Sequence, residues 1–266
     1  MSRHSPRSAA AQAHARLPPS VAAAVWPGAG LAQSRAASVA TGWAELDRAL
    51  PGGGWPTRGL TELLPPQWGT VEWRLTAHAL RACSAQGLPV AVLGAPHPPH
   101  AAGLAQSGIA PRQLAWVAQA SAAELLWATE QLISANAAGA VVAWLREARP
   151  EQIRRLQIAA HRFDGLVFLV RPASALHMAT AAPLRLQVAH APDWALQLRI
   201  LKRRGPALAD ALRLPAVPPA LAGLLTPRML HYSGRLAPPD TFPRKIPYAD
   251  PALGSPAPAV AESAWH

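Results

Sequence analysis

The stretch LTELLPPQWGTVEWRL, residues 60–75, has the order of a phosphate-holding element. An apolar run (Leu60, Leu63, Leu64) enters a turn rich in Pro and Gly, and a helix-like segment leaves it. A loop of this kind that reads GxxxxGK[ST] sets its lysine on the β- and γ-phosphates of a nucleotide. Here the loop is degenerate: around Pro65, Pro66, Gly69, Thr70 and Val71 there is no lysine. Other side chains able to do chemistry are scattered. His97 and His100 in APHPPHAAG have no acid or cysteine near them, which makes a weak metal site and a better loop or cap pair. Ser107 lacks a G-x-S-x-G setting. Asp164 and Asp193 are isolated, so no carboxylate pair is suggested. Cys83 is the single cysteine, which excludes an internal disulfide and a cysteine zinc cluster. It reads as a small buried residue on a helix. No catalytic residue, metal or cofactor is expected.

The elements around these residues follow from period and punctuation. The chain has 266 residues, half of them apolar, which allows one large domain with tails. No apolar run reaches the ~18 residues of a membrane span, and the first twenty residues do not read as a secretory signal. With one cysteine, a reducing cytoplasm fits. Residues 1–40 read as a flexible segment, 41–205 as the folded core, and 206–266, with twelve prolines, as a tail. Within the tail, Leu221, Leu224 and Leu225 fall at helical spacing, so a short helix near 219–230 docks on a partner or packs on its own domain.

In the core, strand-like and helical patterns alternate. GLTELL, PVAVLGAP, LAWVAQA, AVVAWL and GLVFLVRP read as strands, several of them continuously apolar as buried parallel strands are. Helices are expected at 72–86, in HAAGLAQSG, in SAAELLWATEQLISANAAG with Ser121 and Glu124 as a capping box and Gly139 as its end, and in PEQIRRLQIAAHRF. LRLQVAHAPDWALQLRILKRRG reads as two strands around Ala191-Pro192-Asp193. The expected fold is α/β: a mostly parallel twisted sheet with helices on both faces and an antiparallel edge hairpin. Trp116, Trp127, Trp144 and Trp194 lie within these elements and read as core. Trp26, Trp43, Trp55, Trp68 and Trp73 cluster toward the N-terminal side, where base stacking is the alternative to packing. Net charge is +11, and residues 141–205 carry eleven basic residues against four acidic. Nucleic acid, an acidic partner or simple solubility would each account for that surplus.

TGWAELDRALPGGGWPTRGLTEL, residues 41–63, resembles the segment that precedes the phosphate loop in RecA-type proteins. Thr41, Gly42, Leu46, Asp47, Leu50, Gly52, Gly53, Gly54, Pro56, Gly59 and Glu62 follow the pattern TG-x-x-x-LD-x-x-L-GGG-x-P-x-G-x-x-x-E, with one extra residue, Pro51, before the glycines and Gly59 one place later. The resemblance implies a RecA-like core. ATP hydrolysis there needs a loop lysine, an acid for Mg²⁺ and a carboxylate for the attacking water. The expected glutamate falls at Pro96, the aspartate at Ala143 or Trp144, and the phosphate-sensing glutamine at Arg171. A RecA-like fold without ATPase activity is therefore expected. Lys202, Arg203 and Arg204 in ILKRRGP resemble the basic segment that reaches a neighbouring subunit's phosphate, and here would hold DNA phosphate or an acidic partner instead.

ELDRALPGGGWP, RRLQIAAHRFDGLVFLVRP and LQLRILKRRG together resemble the ImuA family of bacterial RecA-like proteins. The resemblance implies a non-catalytic role in damage-induced mutagenesis by translesion synthesis. The implied partners are an ImuB-type polymerase-like protein and an error-prone DnaE-type polymerase, with RecA and DNA as further contacts. Three alternatives stay open: a DNA-binding module, a SulA-type cell-division inhibitor, and a divergent ATPase in which Arg58 or Arg74 substitutes for the lysine.

Overall fold

The computed structural model describes residues 38–230 apart from 119 and 209. Its centre is an eight-stranded sheet. In chain order the strands are β3 (Leu60–Leu64), β4 (Val90–Leu93), β5 (Leu114–Val117), β6 (Ala140–Trp144), β7 (Leu166–Val170), β8 (Leu184–Ala191), β9 (Ala195–Lys202) and β10 (Leu212–Pro215). Their spatial order is β10-β9-β8-β3-β7-β6-β4-β5. The six strands from β8 to β5 run parallel, and β9 is antiparallel to both its neighbours. Two short strands, β1 (Ser38–Val39) and β2 (Trp55–Pro56), pair separately and antiparallel.

The apolar strand runs split between two faces because successive side chains point opposite ways. Val90 and Val92 join one core with Val142, Trp144 and Phe168; Ala91 and Leu93 join the other with Val141, Ala143 and Leu169. Helices α1 (Ala44–Ala49), α2 (Glu72–Ala85) and α3 (Ala101–Gln106) supply Leu46, Leu75, Leu80 and Leu104 to the first core. Helices α4 (Ala122–Ser134) and α5 (Pro150–Ala160) supply Ile133, Ile153 and Leu156 to the second. Helices thus cover both faces. Ser121 Oγ accepts the Glu124 N–H while Glu124 accepts the Ser121 N–H at 2.8 Å, so the capping box forms as expected.

Several boundaries differ from the expectation. Among the described residues regular structure is present from Ser38, where β1 pairs with β2, and it continues past 205, where β10 pairs with β9. The β8–β9 hairpin is therefore not the edge of the sheet. Only Leu212 and Leu214 mark β10 in a Pro-rich context, and Leu214 is fully buried. Helix α4 ends before Asn136, which takes φ of 51°, rather than at Gly139. Asn tolerates this left-handed geometry at a helix end. Gly139 instead donates to Pro89 O at the entry to β6, where a Cβ would strike Leu88. Trp116 and Trp127 are exposed, not core: β5 ends the sheet, and Trp127 lies on the outer side of α4. The remainder of the N-terminal segment, to 37, and the Pro-rich stretch beyond 230 lie outside the described residues.

A buried charge cluster fixes the middle of the sheet. Glu62, on β3, is fully buried. Its Oε1 accepts from Arg171 Nη1 at 2.7 Å, just past β7. Arg185 Nε, on β8, lies 2.8 Å from Oε2, within ion-pair range though off the line of a hydrogen bond. Both guanidinium groups also donate to backbone, Arg171 to Ala148 O at 2.6 Å and Arg185 to the carbonyls of Ala175, Leu176 and Met178, while Arg171 Nε is buried without a partner. Burial lowers the Arg185 pKa, opposed by Glu62 and assisted by Arg171. The cluster ties β3, β7, β8 and the 3-10 turn Ala173–His177 together.

Removing one member of a buried ion pair strands its partner in a low-dielectric interior. Glu62→Ala leaves two such cations, so urea denaturation is expected to show a loss of roughly 3–5 kcal/mol. A loss below ~1 kcal/mol would mean that solvent reaches the cluster.

Candidate functional site

In open α/β sheets, ligands bind outside the carboxyl ends of the parallel strands. The loop 65–71 stands there, between β3 and the N-terminus of α2. The first N–H groups of a helix have no intrahelical acceptor and the helix dipole adds partial positive charge, so such an end attracts anions. In this chain the anion is its own. Glu72, the first residue of α2, is fully buried and turns back into the loop. Its Oε1 accepts the Gly69 N–H at 2.9 Å, and its Oε2 accepts the Val71 N–H at 3.0 Å. A third donor, Trp144 Nε1, reaches Oε1 at 3.3 Å from the end of β6.

The rest of the loop is closed around this carboxylate. Thr70 Oγ1 donates to Gln67 O at 2.8 Å, so its hydroxyl is engaged. Gly69 has φ of +78°, and a Cβ there would come within 3.2 Å of both Pro96 and His97. The Trp73 and Trp144 rings lie 5.9 Å apart, and Arg146 sits 4.7 Å over the Trp68 ring. Pro65 is buried and Pro66 exposed. The positions read as replaced motor residues thus have structural partners. Pro96 borders the loop, Ala143 is core, Trp144 holds Glu72, and Arg171 holds Glu62. Neither arginine considered as a lysine substitute serves the loop. Arg58 pairs with Asp164 at the opposite end of β3, and Arg74 lies over the Trp194 ring.

The other sequence-nominated residues are not brought to this loop. Lys202 ends β9 and Arg203 and Arg204 follow it, beside the amino-terminal end of β8 and hence at the end of the sheet away from the loop. Lys202 Nζ donates to Thr180 O at 2.9 Å, and Arg203 donates to Pro206 O and Ala49 O. Arg204 is exposed and lines a cavity of about 270 Å³ with Arg58 and His161. Leu221 lies in α6 (Pro219–Ala222), which is one turn long, and Leu224 and Leu225 follow it. A second turn, α7 (Pro227–Leu230), comes after them. Leu221 and Leu225 are half-buried and Leu224 is exposed, so the three do not present one apolar helical face. His100 caps α3, its Nδ1 accepting the Gly103 N–H at 3.2 Å. Among the described residues no cluster of three or more His, Cys, Asp or Glu is placed to hold a metal. Among the same residues no helix is long and apolar enough to cross a membrane.

Sequence reading missed Glu72 itself. An acid at the first position of a helix is an ordinary dipole-favoured residue, and only the tertiary contact with Trp144 gives it a larger part. Glu72→Ala is expected to cost about 2–4 kcal/mol, since it leaves buried donors without acceptors. Trp144→Phe is expected to cost about 1–2 kcal/mol from the lost bond and the smaller ring. The double variant should lose less than the sum, because the two changes remove one shared bond. Added phosphate should raise the melting temperature of Glu72→Ala more than that of the parent chain, by filling the freed loop. Equal shifts would mean that Glu72 does not stand in for an anion.

A scan of known protein-family models finds no match to this chain, and no curated protein matches it.

Proposed function

We propose that this chain is a RecA-like accessory protein that binds and organises partners without hydrolysing ATP, in the manner implied by its resemblance to the ImuA family. The supporting fold features are the mostly parallel sheet, the loop-bearing strand β3 at its centre between β7 and β8, and the helix α2 that follows the loop. One observation carries the non-catalytic part. The Glu72 carboxylate occupies the Gly69 and Val71 N–H groups, where a phosphate would have to sit. A triphosphate entering the loop would meet this buried negative charge, with no lysine beside it to offset either. The residues present do not fit a nucleotide.

The partners in this reading are an ImuB-type polymerase-like protein and an error-prone DnaE-type polymerase, with RecA as a further contact, in the cytoplasm. The work of the chain is then done by its outer surfaces. Calorimetric titration with ATP and Mg²⁺ is expected to show no binding in the micromolar range. Purified ImuB-type partner is expected to be retained by the immobilised chain equally well with and without ATP. Nucleotide turnover would overturn the non-catalytic half of the reading, and failure to retain the purified partner would overturn the other half.

A further inference from the structure

Helix α2 carries a feature on its outer side that the closed loop does not use. Arg74, His78 and Arg81 follow one another at spacings of four and three, which places them on one stripe of a helix. They line a groove of about 300 Å³ together with Trp43, Trp73 and the segment from Pro215 to Pro218. No acidic residue is among those lining it. None of the ion pairs formed among the described residues involves Arg74 or Arg81. Glu72, one residue from Trp73, is withdrawn into the loop.

The groove is held in shape. The Trp43 indole N–H donates to Pro215 O at 2.6 Å, which fixes that ring against the rim. Gly42, with φ of +97°, lets the preceding segment press on His78, where a Cβ would come within 2.7 Å of the imidazole. Arg81 Nη2 lies 3.1 Å from His78 Nδ1, and the Arg74 guanidinium stands 5.5 Å over the Trp194 ring.

We propose that this groove binds single-stranded nucleic acid, with Arg74 and Arg81 on phosphates and the Trp43 and Trp73 rings against bases. Cations interleaved with indole rings suit a strand that presents both phosphates and free base faces. A duplex keeps its base faces inside the stack and would offer the rings nothing. An acidic peptide without aromatic or proline side chains would engage the arginines and leave the indoles unused. The site is separate from the loop closed by Glu72 and from the Lys202-Arg203-Arg204 strand end, and it does not rest on a role in translesion synthesis.

The test is fluorescence anisotropy with a labelled twenty-nucleotide oligothymidylate at several salt concentrations. Binding is expected to weaken steeply with salt. Arg74→Ala/Arg81→Ala should lower affinity at least about tenfold and flatten the log–log salt slope by about 0.7 for each phosphate no longer neutralised. Arg74→Lys/Arg81→Lys should retain most of the affinity, which separates loss of charge from loss of fold. Lys202→Ala/Arg204→Ala should bind like the parent. An abasic strand of the same length should bind more weakly, and a polyglutamate peptide should compete poorly. Absence of binding by the parent chain overturns the proposal. So does equal affinity for the abasic strand, equal competition by polyglutamate, or a loss confined to the Lys202/Arg204 variant.

Discussion

A buried carboxylate and a helix N-terminus each carry an unmet electrostatic demand, and in this protein they meet each other. Glu72 is fully buried, yet its two oxygens receive two backbone N–H groups and an indole N–H. The first turn of α2 gains a negative charge where its dipole favours one. The same contacts set the path of the loop and the position of Trp144 at the end of β6. They also bring Pro96 and His97 over Gly69. In a sheet of this kind the loop would be the natural place for a ligand's anionic group. Here the Glu72 carboxylate accepts the Gly69 and Val71 N–H groups at that place.

The second buried acid works differently. Glu62 sits within β3 and is neutralised sideways by Arg171 and Arg185. Two cations share one carboxylate, so the cluster depends on four backbone carbonyls to absorb the excess positive charge. Three of those belong to the stretch from Ala175 to Met178, whose backbone is thereby fixed to the sheet without contributing a strand. Glu62 and Glu72 lie ten residues apart, one inside the sheet and one at its end, and between them they fix both sides of the loop.

The central parallel strands β3, β4, β6 and β7 were legible because each is a short, mostly apolar run with Gly or Pro beside it, and burial on both faces demands that composition. Helix α4 was legible from Ser121 and Glu124, whose bonds are local. What escaped the sequence depends on distant partners. Strand β10 is four residues long and acquires meaning only beside β9. Trp116 has strand composition, but its exposure follows from β5 being last in the sheet. Pro96, Ala143 or Trp144, and Arg171 were readable only as departures from the pattern that the resemblance implies. That Trp144 and Arg171 hold Glu72 and Glu62 was not, since those bonds span 72 and 109 residues of chain. The cations Lys202 and Arg203 looked free in sequence, and backbone carbonyls brought near only by the fold engage them.

The short strand β10 covers the long edge of β9, whose Leu196, Leu198 and Ile200 belong to the core. It is itself framed by Arg213 and Pro215, one exposed charge and one residue without an amide hydrogen. Cutting the chain ahead of β10 would uncover the edge of Ala195–Leu198, four residues of β9 with Leu196 and Leu198 among them, ready to pair with another copy. Clipped forms of this molecule would then tend toward self-association and precipitation while retaining most of their native secondary structure. The modest segment after 205 is in this sense a guard on solubility.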